Sequence, residues 1–277
     1  MWRGAISFGM VAIPVRMYLA NESRGVSFRL LCSRDGTPLR NKRWCPLEDR
    51  EVGWNETVRG YEVAKDEYVR IEDEELESLP LATTHRIEIL EFCEDSEIDA
   101  GVFVKGAYYL EPEPVGVRPY QLLRMALERS GKVAVGKVAM REREQLCRLA
   151  LHRNALLLNT LHWPDEIRDV SELAVPAADE DAAVHARELA MAVMLIENLS
   201  ATFDPERHRD EYRDAVAALA EAKSRNQPVE RASSAEIPQV TDLMAALKAS
   251  VEASRRRAEA DPEVARERPA VRRRRAS

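Results

Sequence analysis

The stretch GAISFGMVAIPVRMYLA, residues 4–20, decides the fold. Ile6, Phe8 and Met10 alternate with small or polar neighbours; the pattern pauses, and Ile13, Val15, Met17 and Leu19 take it up again. A period of two is the repeat of a strand with one buried face. Gly9 and Pro14 mark a bend and a missing ladder donor, as expected at a barrel corner or a sheet edge. The segment therefore reads as two strands or one bent strand.

Working outward, further strands are expected around Tyr61 and Val63 and over residues 68–71, 85–92, 102–110, 133–140, 144–151 and 155–161, with Arg153-Asn154 as a turn. Residues 72–79 predict a short helix with acids in its first turn, ended by Pro80. Residues 119–129 predict another, with Tyr120, Leu123 and Leu127 on one face and Gly131 as its stop. Many short strands with turn signals and few helices argue for a barrel. From residue 179 the pattern becomes helical. Residues 181–199 carry Leu189, Val193, Leu195 and Ile196 on an arc wide enough to demand burial, in the core or against a partner. The next helix starts with Asp204 as N-cap and Pro205 at its first position, with Tyr212, Val216 and Leu219 on its apolar side. Residues 223–239 read as a linker. Residues 240–254 form an amphipathic helix with Leu243, Leu247 and Val251 at four-residue spacing, too short to stand alone in water and so expected to dock on something. Residues 255–277 are expected to be a disordered Arg-rich tail.

Charge is unevenly distributed. The formal net charge is −7, yet the tail carries nine arginines and four acids, which leaves −12 on the preceding 254 residues. A second basic island lies at residues 24–43, RGVSFRLLCSRDGTPLRNKR, with Arg24, Arg29, Arg34, Arg40, Lys42 and Arg43 against Asp35 alone. Asp35-Gly36 followed by Pro38 reads as the tip of a hairpin or extended arm. An acidic body with cations gathered into an arm and a tail points to localised contact with a polyanion, because guanidinium forks match phosphate oxygens and docking releases counterions. The plain alternative is a solvated loop whose charges serve solubility.

Catalytic signals are weak. GKVAVGK at 131–137 has phosphate-loop spacing up to the lysine, but Val138 stands where a magnesium-binding hydroxyl is needed and Val133 and Val135 favour a strand. Lys132, Lys137 and Arg141 serve better as phosphate contacts on a strand and its end. The five histidines show no metal-ligand spacing, and Cys45 has no second cysteine two or three residues on. No catalytic residues, metal or cofactor are expected. The four cysteines, Cys32, Cys45, Cys93 and Cys147, lie far apart, which suits reduced thiols in the cytoplasm. Neither a signal peptide nor a run of about 18 apolar residues is legible.

Taken in order, WRGAISFGMVAIPVRMY, KRWC, VRGYEVAKDEYV, LESLPL, IEILEF, YYLEP, LLRMALERSGKVAVGKVAMREREQL and FDPERHRDEY resemble the bacterial Ku proteins of non-homologous end joining. The resemblance covers residues 1–222, and DLMAALKAS extends it into the short C-terminal helix. It implies an α+β core, a central β-barrel with flanking helices and an arm over about residues 24–60. It also implies a homodimer whose arms close a ring around a double-stranded DNA end, and recruitment of the multifunctional ATP-dependent ligase D. The resemblance also implies, for some relatives, a second cysteine shortly after the position of Cys45; this chain has Pro46-Leu47-Glu48 there, which does not fit a metal knuckle. A protein that accepts any broken end must contact sugar and phosphate instead of bases. Arg34, Arg40, Lys42 and Arg43 are the first candidates, followed by Arg16, Arg59, Lys132, Lys137 and Arg141, with Arg272, Arg273, Arg274 and Arg275 in the tail. Leu243, Met244 and Leu247 are the candidate anchors for the ligase. The expected place of action is the bacterial cytoplasm, at the nucleoid. Two other classes stay open: an enzyme of nucleic-acid ends, which hydrolysis of ATP or cleavage by purified protein would reveal, and an architectural DNA-binding protein without end selectivity.

Overall fold

β1 (Trp2–Phe8) turns at Gly9 into β2 (Val11–Leu19), and the two pair antiparallel from Trp2↔Met17 to Phe8↔Val11, so the opening segment is two strands. This computed structural model describes residues 2–79, 85–140, 143–176, 185–225 and 243–260. Contacts divide the chain into two units, Met1–Glu172 and Leu173–Ser277. Pro14 lies just beyond the last pair that β2 makes with β8 (Val104–Pro112), Val15↔Pro112. Its carbonyl accepts from Glu113 N at 2.9 Å, so the donor that proline lacks faces a place where the ladder has already stopped.

After β2 the chain leaves the barrel. β3 (Trp44–Cys45) pairs with β4 (Arg50–Glu51), and β5 (Arg59–Ala64) pairs with β6 (Glu67–Ile71), each as a separate two-stranded sheet. α1 (Asp73–Glu77) follows, with three acids in its first turn as its dipole favours. Pro80 lies outside the described residues. The chain re-enters as β7 (Arg86–Glu94), then runs through α2 (Ala100–Phe103), β8, α3 (Val117–Ser130), β9 (Lys132–Met140), β10 (Arg143–His152) and β11 (Ala155–Leu161). Arg153, in the expected turn between β10 and β11, takes a left-handed φ of 53°.

Seven strands close a barrel in the order β1-β2-β8-β11-β10-β9-β7. Every junction is antiparallel except the one between β1 and β7, which is parallel. A parallel neighbour needs a long crossover, and the excursion between β2 and β7 supplies it. Ile6, Ile13, Val15, Ile87, Val138, Leu149, Leu156 and Leu158 fill the interior and are fully buried. α3 packs against β2, β9 and β10 and adds Tyr120, Leu123 and Leu127 to that core. The Tyr120 hydroxyl donates to Leu110 O at 2.9 Å and accepts from Leu156 N at 2.8 Å. Leu110 and Leu156 are partners in the β8-β11 register, so one phenol satisfies two buried backbone groups across a strand pair. Cys147, deep in the same core, has its thiol pushed up to about 12 by burial.

The seam at β7 depends on close backbone approach. A Cβ on Gly136 of β9 would run into the Glu88 carbonyl oxygen, and one on Gly4 of β1 would run into that of His85. Gly136 also sits where the β7-β9 register shifts between Ile89 and Glu91.

In the second unit α4 (Ala186–Leu199), α5 (Glu211–Ser224) and α6 (Leu243–Ala260) carry the regular structure. Several expectations are corrected here. The helix expected over 181–199 is described from Ala186, and Leu189, Val193 and Ile196 are exposed, so this chain's own core does not take up the wide apolar arc. Asp204 does cap, accepting from Glu206 N at 3.0 Å, but it caps a 3-10 turn, Pro205–Arg207. The α-helix begins six residues later than Pro205, at Glu211, because Asp210 supplies a second cap by accepting from Arg213 N. Tyr212 is exposed. The expected linker begins inside α5, which runs to Ser224, and its part beyond residue 225 lies outside the described residues. α6 outlasts the expected end at 254 and carries Arg255–Arg257 on its last turns, since arginine and alanine propagate a helix once it is started. Arg272, Arg273, Arg274 and Arg275 lie outside the described residues.

Replacing Gly136 with Ala should destabilise the barrel by about 3 kcal/mol, the upper end of ordinary overpacking costs, since the obstructing atom is backbone. Gly25→Ala, with only Ser23 Oγ nearby at 3.8 Å, should be close to neutral. Urea midpoints of the two variants check this, and equal midpoints would contradict the close-approach argument.

Candidate nucleic-acid interface

No residue from 21 through 60 is buried, although this segment contains Phe28, Leu30, Leu31, Leu39, Trp44, Leu47 and Trp54. It is an arm in the literal sense: its side chains add nothing to the barrel core. The tip is a turn of the kind the Asp-Gly pair predicts. Gly36 N donates to Cys32 O at 2.9 Å, Cys32 N to Thr37 O at 2.8 Å, and Gly36 takes a φ of 72°. Asp35 accepts from Thr37 N at 2.9 Å, and that bond holds its carboxyl below the usual carboxylate range. A bridge between Leu31 and Pro38 closes the base of the turn. Arg34 is thereby presented on a rigid corner.

Further along, Arg50 ties the arm down. Its guanidinium reaches Glu48 at 2.5 Å and Glu56 at 3.0 Å, and Glu56 also accepts from Gly53 N at 2.9 Å. These bonds fix the 3-10 turn Trp54–Glu56. Above Trp54 lies Arg43, its Cζ 3.6 Å from the ring centroid. A guanidinium held over an exposed indole keeps N–H donors available for phosphate. Arg43 and Arg59 line one cleft of about 480 Å³ together with Trp54, Val58, Ile71 and Asp73.

The candidate cations fall into two groups. Arg34 and Arg40 have no acidic partner among the described residues, and neither does Arg29, which the sequence reading counted in the basic island but did not select. Arg43 is stacked on Trp54, and five more are paired with acids: Lys42 with Glu51, Arg59 with Asp73 at 3.1 Å, Arg16 with Glu113 at 3.4 Å, Lys132 with Glu94 at 3.8 Å, and Lys137 with Glu144 at 3.0 Å. Lys137 also sits 5.6 Å from the Trp163 ring. Arg141 lies outside the described residues. Arg16, Lys132 and Lys137 are carried by barrel strands β2 and β9, apart from the arm. Surface pairs of this kind are worth roughly 0–1 kcal/mol, so a phosphate can displace the carboxylate at little cost. The role of Trp54 was hidden in the sequence by the acids around it; its signal was an indole within reach of a basic island. Among the described residues no group of three or more His, Cys, Asp or Glu gathers as a metal site, and no helix is long and apolar enough to cross a membrane.

The chain that builds this barrel and its cationic arm has relatives in sequence. Residues 7–191 match the model of the Ku70/Ku80 beta-barrel domain. The chain belongs to the Ku family. It is 42% identical over 255 residues to the Non-homologous end joining protein Ku of Frankia casuarinae, covering 92% of this chain and 63% of that one. The Ku protein of the same description from Bacillus subtilis is 34% identical, with 92% and 82% covered. That of Archaeoglobus fulgidus is 37% identical, with 91% and 98% covered. The chain thus spans less than two thirds of the Frankia relative and nearly all of the Archaeoglobus one.

Glu56 makes the arm's geometry depend on pH. Its carboxyl is held below the ordinary 4.5, first by the Arg50 guanidinium and then by the Gly53 amide. A depressed pKa contributes order that is complete above 4.5 and lost as pH falls through the lowered value. Acid titration of Trp fluorescence should show a transition below 4.5 that Glu56→Gln removes; persistence of the transition in that variant would assign it elsewhere.

Proposed function

We propose that two copies of this chain form a ring that accepts the end of a DNA duplex, without reading its sequence, in the repair of double-strand breaks by non-homologous end joining. The observation that carries the reading is an arm with no buried residue, bearing a net charge of +5 over residues 24–43, on the barrel of a Ku family member. A solvated solubility loop would not need Phe28, Leu30, Leu31, Trp44 and Leu47 on its surface. Exposed apolar side chains among unpaired arginines suit an element that is covered by a second copy on one side and faces phosphate on the other. The protein acts as a scaffold and not as a catalyst. Its role is to hold the end for the ATP-dependent ligase D, which it recruits through the apolar side of α6, with Leu243, Met244 and Leu247 as anchors.

Arg34 and Arg40 have the most to offer a duplex. Each replacement by Ala should flatten the log-log salt dependence of duplex binding by about 0.9, the contribution of one phosphate contact on B-DNA. Lys42→Ala and Arg59→Ala should change it less, because Glu51 and Asp73 already share those charges. Slopes ranked the other way would move the contact off the arm's tip.

The ring itself is tested by topology. Closed circles display the same phosphates as linear DNA, and only access differs. The wild-type protein should bind linear duplex at least about tenfold more tightly than relaxed circles of equal length, a difference of about 1.4 kcal/mol. Circularising the DNA after loading should trap the protein through a high-salt wash that strips it from linear DNA. Equal binding and equal release would make this an architectural DNA-binding protein without end selectivity.

A further inference from the structure

Among the described side chains of α6, one side is partly withdrawn from solvent. Its half-buried residues are Met244, Ala246, Leu247 and Val251, and the helix packed against it is α4. On α4 the half-buried positions are Glu188, Met191, Ala192, Leu195 and Asn198, spaced three and four apart as a single stripe. Leu189, Val193 and Ile196 lie off that stripe and are exposed. α6 spans 18 residues, and in proteins a helix of this kind draws most of its stability from packing of its apolar face. Its order in the free chain therefore depends on packing against α4, and its half-buried residues include Met244 and Leu247.

We propose that α4 is an intramolecular latch on α6, so that the free protein masks its own ligase contact and the ligase must displace α4 to dock. This rests on the reading of α6 as that contact. A side chain cannot fill a partner's groove while it is packed on a neighbouring helix, so the two engagements exclude each other. The apparent affinity for the partner is lowered by the fraction of molecules in which α6 is free. Anything that draws α4 away raises that fraction and the affinity with it. The latch lies within one unit of the chain and needs only α6 to exchange one apolar surface for another, which makes the exchange nearly neutral in buried area.

The test uses the full-length protein with Met191→Ala and Leu195→Ala together. Alanine preserves the α4 helix while removing the side chains that meet α6. Amide protons of residues 247–254, which have acceptors within α6, should be protected from exchange in the free wild type and lose that protection in the double variant. Its apparent Kd for ligase D should tighten by about tenfold as the free fraction rises. Leu247→Ser should lose both the protection and the ligase. Persistent protection of α6 in the double variant would show that α4 does not hold it. Lost protection with unchanged or weaker ligase affinity would show that the two engagements do not compete. Full ligase affinity in Leu247→Ser would overturn the assignment of the contact to α6, and the proposed competition with it, while the exchange data would still report on the helix pair.

Discussion

Closure of the barrel at β7 is the constraint on which the rest depends. Six of the seven junctions join antiparallel neighbours, several of them through tight hairpins such as β1-β2 and β10-β11. The seventh joins β7 to β1 in parallel, after an excursion that contributes no buried residue among those described between β2 and Ile87. Loop closure across so many residues is entropically costly, so the seam must be specific. Its specificity comes from Gly4 on one side and Gly136 on the other, where neighbouring backbone lies too near for any side chain. With β7 seated, Ile87 enters the core and the two ends of the arm are fixed at the barrel wall.

The arm then solves a charge problem. Cations on an acidic protein are drawn to the protein's own carboxylates, and most candidates are engaged in this way. Lys42, Arg59, Arg16, Lys132 and Lys137 each face an acid. Arg50, with Glu48 and Glu56, is committed to shaping the arm and holds the turn beneath Trp54. Arg29, Arg34 and Arg40 escape because the turn at Asp35-Gly36 carries them away from the acids, and Asp35 spends its own carboxylate on the Thr37 amide. Arg43 escapes by stacking on an indole.

The second unit follows a different logic. α4 and α6 draw their stability from packing, and each offers the other a half-buried stripe. α4 still has Leu189, Val193 and Ile196 facing outward, which is why periodicity alone suggested a buried helix.

Local chemistry made much of this legible in sequence. Period-two alternation placed the barrel strands, the Gly131 stop ended α3, Asp-Gly made the turn at the arm's tip, and the run of cations marked the arm, since each of these depends only on residues close in the chain. The ordered motifs carried the family. What the linear chain could not express was partnership at a distance. Whether Tyr120 finds Leu110 and Leu156, and whether a given lysine already faces a glutamate, are decided by which segments meet in space. The parallel closure of β7 on β1 is of the same kind. Burial and ion pairing are properties of pairs of residues far apart in the chain, and they come into being only when the barrel shuts.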